Sequence, residues 1–202
     1  MSAIELLSAR YNFNIEDAIN VLNENKARSK TKSKVVEAKK EVEDLFAQIV
    51  NDVSGGAADP EMLSTVAELG CTYILMHWRG HSKDMNSKAI YQDVVQEVIA
   101  ELNEQVQKAL AAGIQPANII LDPGIGFAKD AHHNWEIIDR LHEITALGYP
   151  VLIGHSRKRF LRGEKPDDRE AATVALTKSL SDKGIWGVRV HGVRANYEAI
   201  HR

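Results

Sequence analysis

The chain has 202 residues, 44% hydrophobic and 26% charged, and this composition excludes a wholly disordered protein. The net charge of −3 gives no reason to expect a nucleic-acid or membrane partner. The single cysteine, Cys71, excludes an internal disulfide framework, and no apolar run is long enough to cross a membrane. Because the N-terminal residues also lack a signal-peptide pattern, we expect a soluble cytoplasmic protein.

Residues 1–47 predict a helical N-terminal segment. Apolar residues follow helical spacing from Ile15 to Leu22 and again over residues 35–46. Between these stretches, residues 26–34 carry five cations and no anion, which favours a solvated basic linker. A nucleic-acid contact is the weaker alternative, because no aromatic side chain in the linker could stack on a base.

From residue 48 onward, short apolar runs alternate with amphipathic helical stretches. The runs are rich in Ile, Val and Leu, as in buried parallel strands. The predicted strands span residues 48–52, 72–76, 118–122, 150–154 and 187–191. The predicted helices span residues 58–69, 91–112, 133–146 and 169–183. This alternation predicts an α/β fold with a parallel sheet.

Each predicted strand leads into a polar motif. In chain order the motifs are Asn51-Asp-Val-Ser-Gly-Gly, Met76-His-Trp-Arg-Gly, Asp122-Pro-Gly-Ile-Gly-Phe-Ala-Lys, Gly154-His-Ser-Arg-Lys and Arg189-Val-His. The carboxyl ends of parallel strands meet at one face, and in β/α barrels that face holds the active site. We therefore expect the five motifs to converge on one functional site.

Together these motifs resemble dihydropteroate synthase, the folate-pathway family that joins a pterin diphosphate to p-aminobenzoate. The resemblance covers residues 48–202 and implies a TIM-barrel-derived parallel sheet, formed by the last five βα units of a (β/α)8 barrel. It also implies Mg²⁺ as cofactor and a homodimer. The motifs of the family's first three strands, including its metal-binding loop, have no counterpart in residues 1–47.

The resemblance assigns roles to residues at the strand ends. Asp122 is expected to accept the paired N–H donors of the pterin, and Lys158 to bond its carbonyl. Arg189 and His191 are expected to clamp the diphosphate, and together with Lys158 they form the expected catalytic group. The expected substrate-binding set is Asn51, Met76, Asp122, Gly126, Phe127, Ser156, Arg157, Lys158, Arg189, Val190 and His191. No metal ligand is assigned.

Structural roles stay open for several of these residues. Asp122 could cap a turn, and Arg189 could form a core ion pair with a barrel carboxylate. Met76 and Phe127 could simply fill the core. Two further residues are expected outside the site: Lys129 facing solvent, and Asp52 supporting the fold, with pairing to a barrel cation as one way to do so.

Three functions are compatible with the motifs. The first is the transferase reaction that gives 7,8-dihydropteroate, with activity impaired if the missing motifs are essential. The second is a catalytically inactive pterin- or partner-binding module that retains half of the site. The third, a pterin-dependent methyltransferase domain, is disfavoured by the motifs at Ser156 and Arg189.

Overall fold

The computed structural model describes residues 48–81 and 85–201. The helical segment and basic linker predicted for residues 1–47 lie outside the described residues. Five parallel strands are present: β1 (Ile49–Asp52), β2 (Thr72–Met76), β3 (Ile119–Asp122), β4 (Leu152–Ile153) and β5 (Gly187–Val188). A parallel bridge between Leu121 and Val151 joins β3 to the β4–β5 pair, so the strands follow one another in chain order.

Helices cover one face of this sheet. They are α1 (Met62–Leu69), α2 (Val94–Ala111), α3 (Ala131–Asp139), α4 (Leu141–Thr145), α5 (Glu170–Ser181) and α6 (Val193–His201). Short 3₁₀ turns lie at Met85–Lys88, Pro116–Asn118, Arg159–Leu161 and Asp167–Arg169. No helix in the described ranges is long and apolar enough to span a membrane. The predicted βα alternation is confirmed: the strands and helices predicted from residue 48 onward lie close to their expected places, and α6 is an additional helix.

Three predicted elements differ most from the structure. The last two strands are shorter, because the chain leaves the ladder after Ile153 and Val188 to form loops. The helix predicted over residues 133–146 is two helices, α3 and α4, that meet at Arg140 with non-helical torsions (φ −98°, ψ 23°). The guanidinium of Arg140 holds this junction, because it bonds Glu136, Glu143 and Asp93.

The alternation of side chains along the strands divides the core into two layers. Tyr73, Leu75 and Leu121 are fully buried against the helices. On the opposite face, a second cluster is formed by Ile74, Ile120 and Leu152, packed against Ile49 and Trp186. Met76 and Asp122 are partners in the β2–β3 register, and the same alternation places both on this second face.

Local contacts determine where α2 begins and ends. Asp93 caps its first turn, since Oδ1 accepts from the backbone N–H groups of Val95 and Gln96 at 3.0 Å. Gly113 follows the helix with φ +102°, a conformation that favours glycine, and its N–H donates to the carbonyl of Leu110. The helix therefore covers β2 and ends where the chain must turn into β3.

Replacing Leu121 by alanine tests the helix-facing layer. We expect Leu121→Ala to lower the free energy of unfolding by about 2–5 kcal/mol, because its fully buried side chain would leave a cavity. The matched surface variant Gln107→Ala, at an exposed position of α2, should stay within about 0.5 kcal/mol of the parent. Equal urea midpoints for the two variants would contradict this packing.

Candidate functional site

The carboxylate of Asp122 lies at the centre of the strand-end face. Its side chain is 0% exposed, and Oδ1 accepts a hydrogen bond from the Gly124 N–H at 2.8 Å. Arg189 Nη2 lies 2.9 Å from Oδ2, and Arg189 Nη1 donates to Asn51 Oδ1 at 3.1 Å. The ends of β1 and β3 and the residue after β5 are therefore brought together, as expected.

One oxygen of this buried carboxylate lacks a hydrogen-bond donor. Asp122 Oδ2 is ion-paired with Arg189, but no donor in the described residues has hydrogen-bond geometry toward it. A buried acceptor without a donor is costly unless a ligand or water satisfies it. The core ion pair considered from the sequence is thus present, and a ligand reaches Oδ2 only when the Arg189 guanidinium moves aside.

Gly154 is the position that admits Arg189 to this face. A Cβ atom on Gly154 would collide with Arg189 Nη2, and the backbone at this glycine is itself unstrained. The side chain of Arg189 therefore lies across the end of β4. Any larger residue at position 154 would push the guanidinium away from Asp122.

Lys158 lies beside the loop that follows β3. A Cβ on Gly126 would be 2.9 Å from Lys158 Cδ, and Lys158 Nζ lies 4.0 Å from the centroid of the Phe127 ring. Burial and the charge of Arg189 lower the pKa of Lys158 to about 8, while Asp122 acts in the opposite direction. Gly126, Phe127 and Lys158 thus form one half-buried corner of the site.

Ser156 and His191 form a separate pair. Ser156 Oγ lies 2.9 Å from His191 Nδ1, and the His191 N–H donates to Ser156 Oγ at 3.1 Å. Partial burial and the charge of Arg157 lower the pKa of His191. Arg189 and His191 contact different partners. The sequence prediction was that both side chains point the same way from one strand, but β5 ends at Val188, so neither residue belongs to a strand.

Three predicted residues are embedded or turned aside. Met76 and Val190 are 1% and 2% exposed. Arg157 adopts φ +55°, and its guanidinium bonds Glu170 Oε2 and Asp167 Oδ1, each at 2.8 Å. Its charge is therefore shared with carboxylates near the start of α5, away from Asp122.

A buried polar network connects the loops after β4 and β5. His155 Nε2 lies 3.0 Å from Thr177 Oγ1, and Thr177 Oγ1 donates to the side-chain oxygen of Asn196. Asn196 Nδ2 in turn donates to the carbonyl of Gly192 at 2.8 Å. The positions of Ser156 and His191 therefore depend on contacts made by α5 and α6.

Two sequence expectations are corrected by the structure. Within the described residues no cation pairs with Asp52: it accepts from Ser54, the Gly56 N–H and the hydroxyl of Tyr73, so it organises the turn after β1. Lys129 does not face solvent, since it is only 8% exposed and lies under the loop after β3. Its sequence position, beside Asp130 and a helix start, gave no signal of burial.

A cavity of about 540 Å³ opens between the loops after β3 and β4. It is lined in part by Gly126, Lys158, Arg159 and Phe160. Its walls combine apolar surface with cations, which suits a small aromatic anion. All four residues from Arg157 to Phe160 line this cavity.

The described residues offer no ligand set for a divalent metal ion. Within residues 48–81 and 85–201, no three His, Cys, Asp or Glu side chains are grouped to hold one. Mg²⁺ takes oxygen ligands in near-octahedral order. The oxygens nearest the site centre, on Asp122 and Asn51, already face Arg189. The Mg²⁺ that the resemblance implies is therefore assigned to none of these residues.

Comparison with known proteins places the chain among enzymes that handle pterins. Residues 30–191 match the family model described as "Pterin binding enzyme". The chain is 48% identical over 164 residues to dihydropteroate synthase from Mycobacterium leprae, covering 76% of this chain and 58% of that protein. It is 46% identical over 160 residues to a probable bifunctional folylpolyglutamate synthase/dihydropteroate synthase from Haloferax volcanii, covering 78% of this chain and 19% of that one.

Solved structures show the same similarity. Dihydropteroate synthase from Thermus thermophilus, solved in complex with 4-aminobenzoate, is 40% identical with a TM-score of 0.74, covering 81% of this chain and 65% of that one. The enzyme from Xanthomonas albilineans in complex with 7,8-dihydropteroate is 33% identical with a TM-score of 0.73, covering 81% and 61%. The chain thus spans about three fifths of the length of the Mycobacterium leprae protein.

Two glycine variants test how tightly the loop after β3 packs on β2. Gly124 has φ +68°, and a Cβ there would lie 2.6 Å from the backbone oxygen of His77. Gly148 has φ +83° with open space around it. We expect Gly148→Ala to cost about 1–2 kcal/mol of unfolding free energy from its torsion alone. Gly124→Ala should cost about 1–3 kcal/mol more, because backbone must move. Equal losses in urea unfolding would contradict the close approach.

Proposed function

The chain belongs to the pterin-binding enzyme family, and we propose that it performs the transferase reaction of dihydropteroate synthesis in the folate pathway. In this reaction 6-hydroxymethyl-7,8-dihydropterin diphosphate condenses with p-aminobenzoate to give 7,8-dihydropteroate. The observation that carries the proposal is the buried Asp122 carboxylate, whose Oδ2 has no hydrogen-bond donor within the described part of the chain. The similarity to dihydropteroate synthases over three quarters of the chain supports it.

Asp122 is proposed to read the pterin ring. The ring N–H and 2-amino groups present two adjacent donors, and a carboxylate can accept both. Asn51 adds an amide with both donor and acceptor groups near the end of β1. Lys158, with Nζ over Phe127 and its charge near Asp122, is proposed to bond the ring carbonyl. Met76, on the same sheet face, gives an apolar floor.

The second substrate is proposed to bind on the side of Phe127 and Ser156. p-Aminobenzoate is a flat aromatic carboxylate, which suits the neighbouring cavity, because its lining includes the ring of Phe160 and the cations of residues 157–159. Its carboxylate would face the cations, and its amine would face the pterin bound at Asp122. The two rings would then be held for attack with little further motion.

The chemical step needs positioning more than proton transfer. The amine nitrogen of p-aminobenzoate attacks the exocyclic methylene carbon of the pterin, and the bond from that carbon to the diphosphate oxygen breaks. The diphosphate leaves with the bonding electrons, and the amine loses one proton to solvent. Arg189 and His191 are proposed to stabilise the developing negative charge on the leaving group. Mg²⁺ would supply further charge neutralisation when bound, and no described residue is assigned to it.

An inactive pterin-binding module is the second candidate. The observation that favours it is the lack of a family-type metal loop in the sequence of residues 1–47. The two candidates differ in product formation: a transferase makes dihydropteroate slowly in an Arg189-dependent manner, whereas a binding module makes none.

Measured turnover therefore tests the proposed function. We expect the 202-residue chain to bind the pterin and to form dihydropteroate with Mg²⁺ at a rate at least about 10³-fold below that of a full-length relative, equivalent to about 4 kcal/mol of lost transition-state stabilisation. Product that disappears in Arg189→Ala supports the transferase, and binding without product supports the module. Rates equal to those of the relative would show that residues 1–47 supply the missing metal ligand.

Paired variants test the two halves of the site by calorimetry. We expect Asp122→Ala to weaken binding of 6-hydroxymethylpterin by about 2–4 kcal/mol, because the paired N–H donors of the ring lose their acceptor. Binding of inorganic diphosphate should persist in that variant. Arg189→Ala should mainly weaken diphosphate binding, since it removes a forked donor. Equal pterin affinity in Asp122→Ala and the parent would contradict the assignment.

A homodimer and a cytoplasmic location stay predictions. The outer face of α6 exposes Tyr197 and Ile200, which is compatible with a contact between copies of the chain. A mass measurement in solution decides between monomer and dimer.

A further inference from the structure

Lys129 lies beneath the loop that carries Asp122 and Phe127, and its amine contacts three acceptors. Nζ donates to the carbonyl of Phe127 at 3.1 Å and to that of Gly124 at 3.3 Å. It also lies 2.9 Å from His77 Nδ1. An ammonium has three N–H donors, so all of its hydrogen-bonding capacity is directed into this loop and the end of β2.

The second nitrogen of His77 fixes the direction of these bonds. His77 is 0% exposed, and its Nε2 lies 2.9 Å from Glu101 Oε2. Because a carboxylate only accepts, Nε2 must carry the proton and Nδ1 must accept from Lys129. Burial and the charge of Lys129 lower the pKa of His77 to about 4, so the ring is neutral near pH 7. The relay therefore runs from Lys129 through His77 to Glu101.

Glu101 is itself anchored. Arg79 Nε donates to both of its carboxylate oxygens, at 3.0 and 3.1 Å, and Arg79 also pairs with Glu97. Both glutamates belong to α2, so the relay ties the loop after β3 to a helix on the far side of β2. The charged groups that act on Lys129 are Asp122, Arg79 and Glu101. Burial lowers the pKa of Lys129 to about 7, and Asp122 opposes this shift.

The relay bears directly on the geometry of the site. Gly124 donates its N–H to Asp122 Oδ1, while its carbonyl is held by Lys129. Phe127, whose ring lies under Lys158 Nζ, has its carbonyl held by the same amine. One buried amine thus contacts the backbone on both sides of the turn that orients the carboxylate and the aromatic ring.

We propose that Lys129 is a positioning residue for the pterin site, acting through the loop at Gly124–Phe127 and oriented by the His77–Glu101 pair. This inference rests on the proposed function for its effect on pterin binding. Lys129 also lines part of the cavity between the loops after β3 and β4, but its amine is directed at the two loop carbonyls and His77, so it is assigned no bond to either substrate. Its removal should loosen Asp122 and Phe127 while leaving the diphosphate group at Arg189 in place.

Binding of two probes separates positioning from general destabilisation. We expect Lys129→Met to weaken binding of 6-hydroxymethylpterin by about tenfold or more and to change binding of inorganic diphosphate by less than about threefold. Val106→Ala serves as the matched control, because it removes a buried group of α2 that lies away from the loop. It should reduce stability and leave both affinities unchanged. Equal pterin affinity in Lys129→Met and the parent, or a parallel loss for both probes, would overturn the inference.

Two variants of His77 test the relay. His77→Gln keeps an acceptor for Lys129 and a donor for Glu101, so it should retain pterin affinity within about threefold. His77→Leu removes both groups and should weaken pterin binding by about tenfold. Equal affinities in these two variants would overturn the role of His77.

Amide hydrogen exchange tests, without any ligand, whether Lys129 holds the loop at Gly124–Phe127. In Lys129→Met, exchange over residues 124–128 should accelerate by about tenfold, whereas exchange in α5 should not change. Unchanged exchange over residues 124–128 would overturn the inference. If the parent chain fails to bind any pterin, the proposed function fails, and the exchange experiment still decides whether Lys129 holds the loop.

Discussion

A carboxylate that is removed from water must be matched by donors, and the fully buried Asp122 imposes this requirement on the whole strand-end face. One oxygen is matched by the N–H of Gly124, and the other by the charge of Arg189. Gly154 has no side chain and therefore leaves the space that the Arg189 side chain needs. The alternation of side chains along β3 places this carboxylate on the second face of the sheet, where Met76 is its partner in the β2–β3 register. Fold and site therefore share one electrostatic constraint.

Two polar networks stabilise the loops on either side of this carboxylate. The Lys129–His77–Glu101 relay supports the loop after β3, and it draws on α2. The network through Thr177 and Asn196 supports the loops after β4 and β5, and it draws on α5 and α6. Most members of these networks are buried and bond one another, although Glu101 is partly exposed and His155 Nδ1 has no hydrogen-bond partner among the described residues. Each network thus restrains loop backbone that is not part of a strand. The helices thus contribute to the site by fixing loop backbones rather than by reaching the substrates.

The sequence predicted the strand ends well because apolar runs and the polar residues that close them are local patterns. The positions of Asp122, Asn51 and Arg189 at one edge followed from parallel topology alone. The burial of Lys129 could not be predicted, because its partners are carbonyl groups of its own loop and a histidine 52 residues earlier in the chain. The helix break at Arg140 involves Asp93, the N-cap of α2, which lies 47 residues earlier in the chain. Long-range polar contacts leave no periodic signal in the sequence, and they determine both of these features that could not be predicted.

The most direct test of the central claim is a crystal structure of the chain with 6-hydroxymethylpterin bound. We expect the ring N–H and 2-amino groups to donate to the Asp122 carboxylate, with Lys158 at the ring carbonyl and Asn51 at the neighbouring edge. The loop at Gly124–Phe127 should keep its contacts with Lys129. A pterin bound elsewhere, with Asp122 Oδ2 still without a hydrogen-bond donor, would contradict the account.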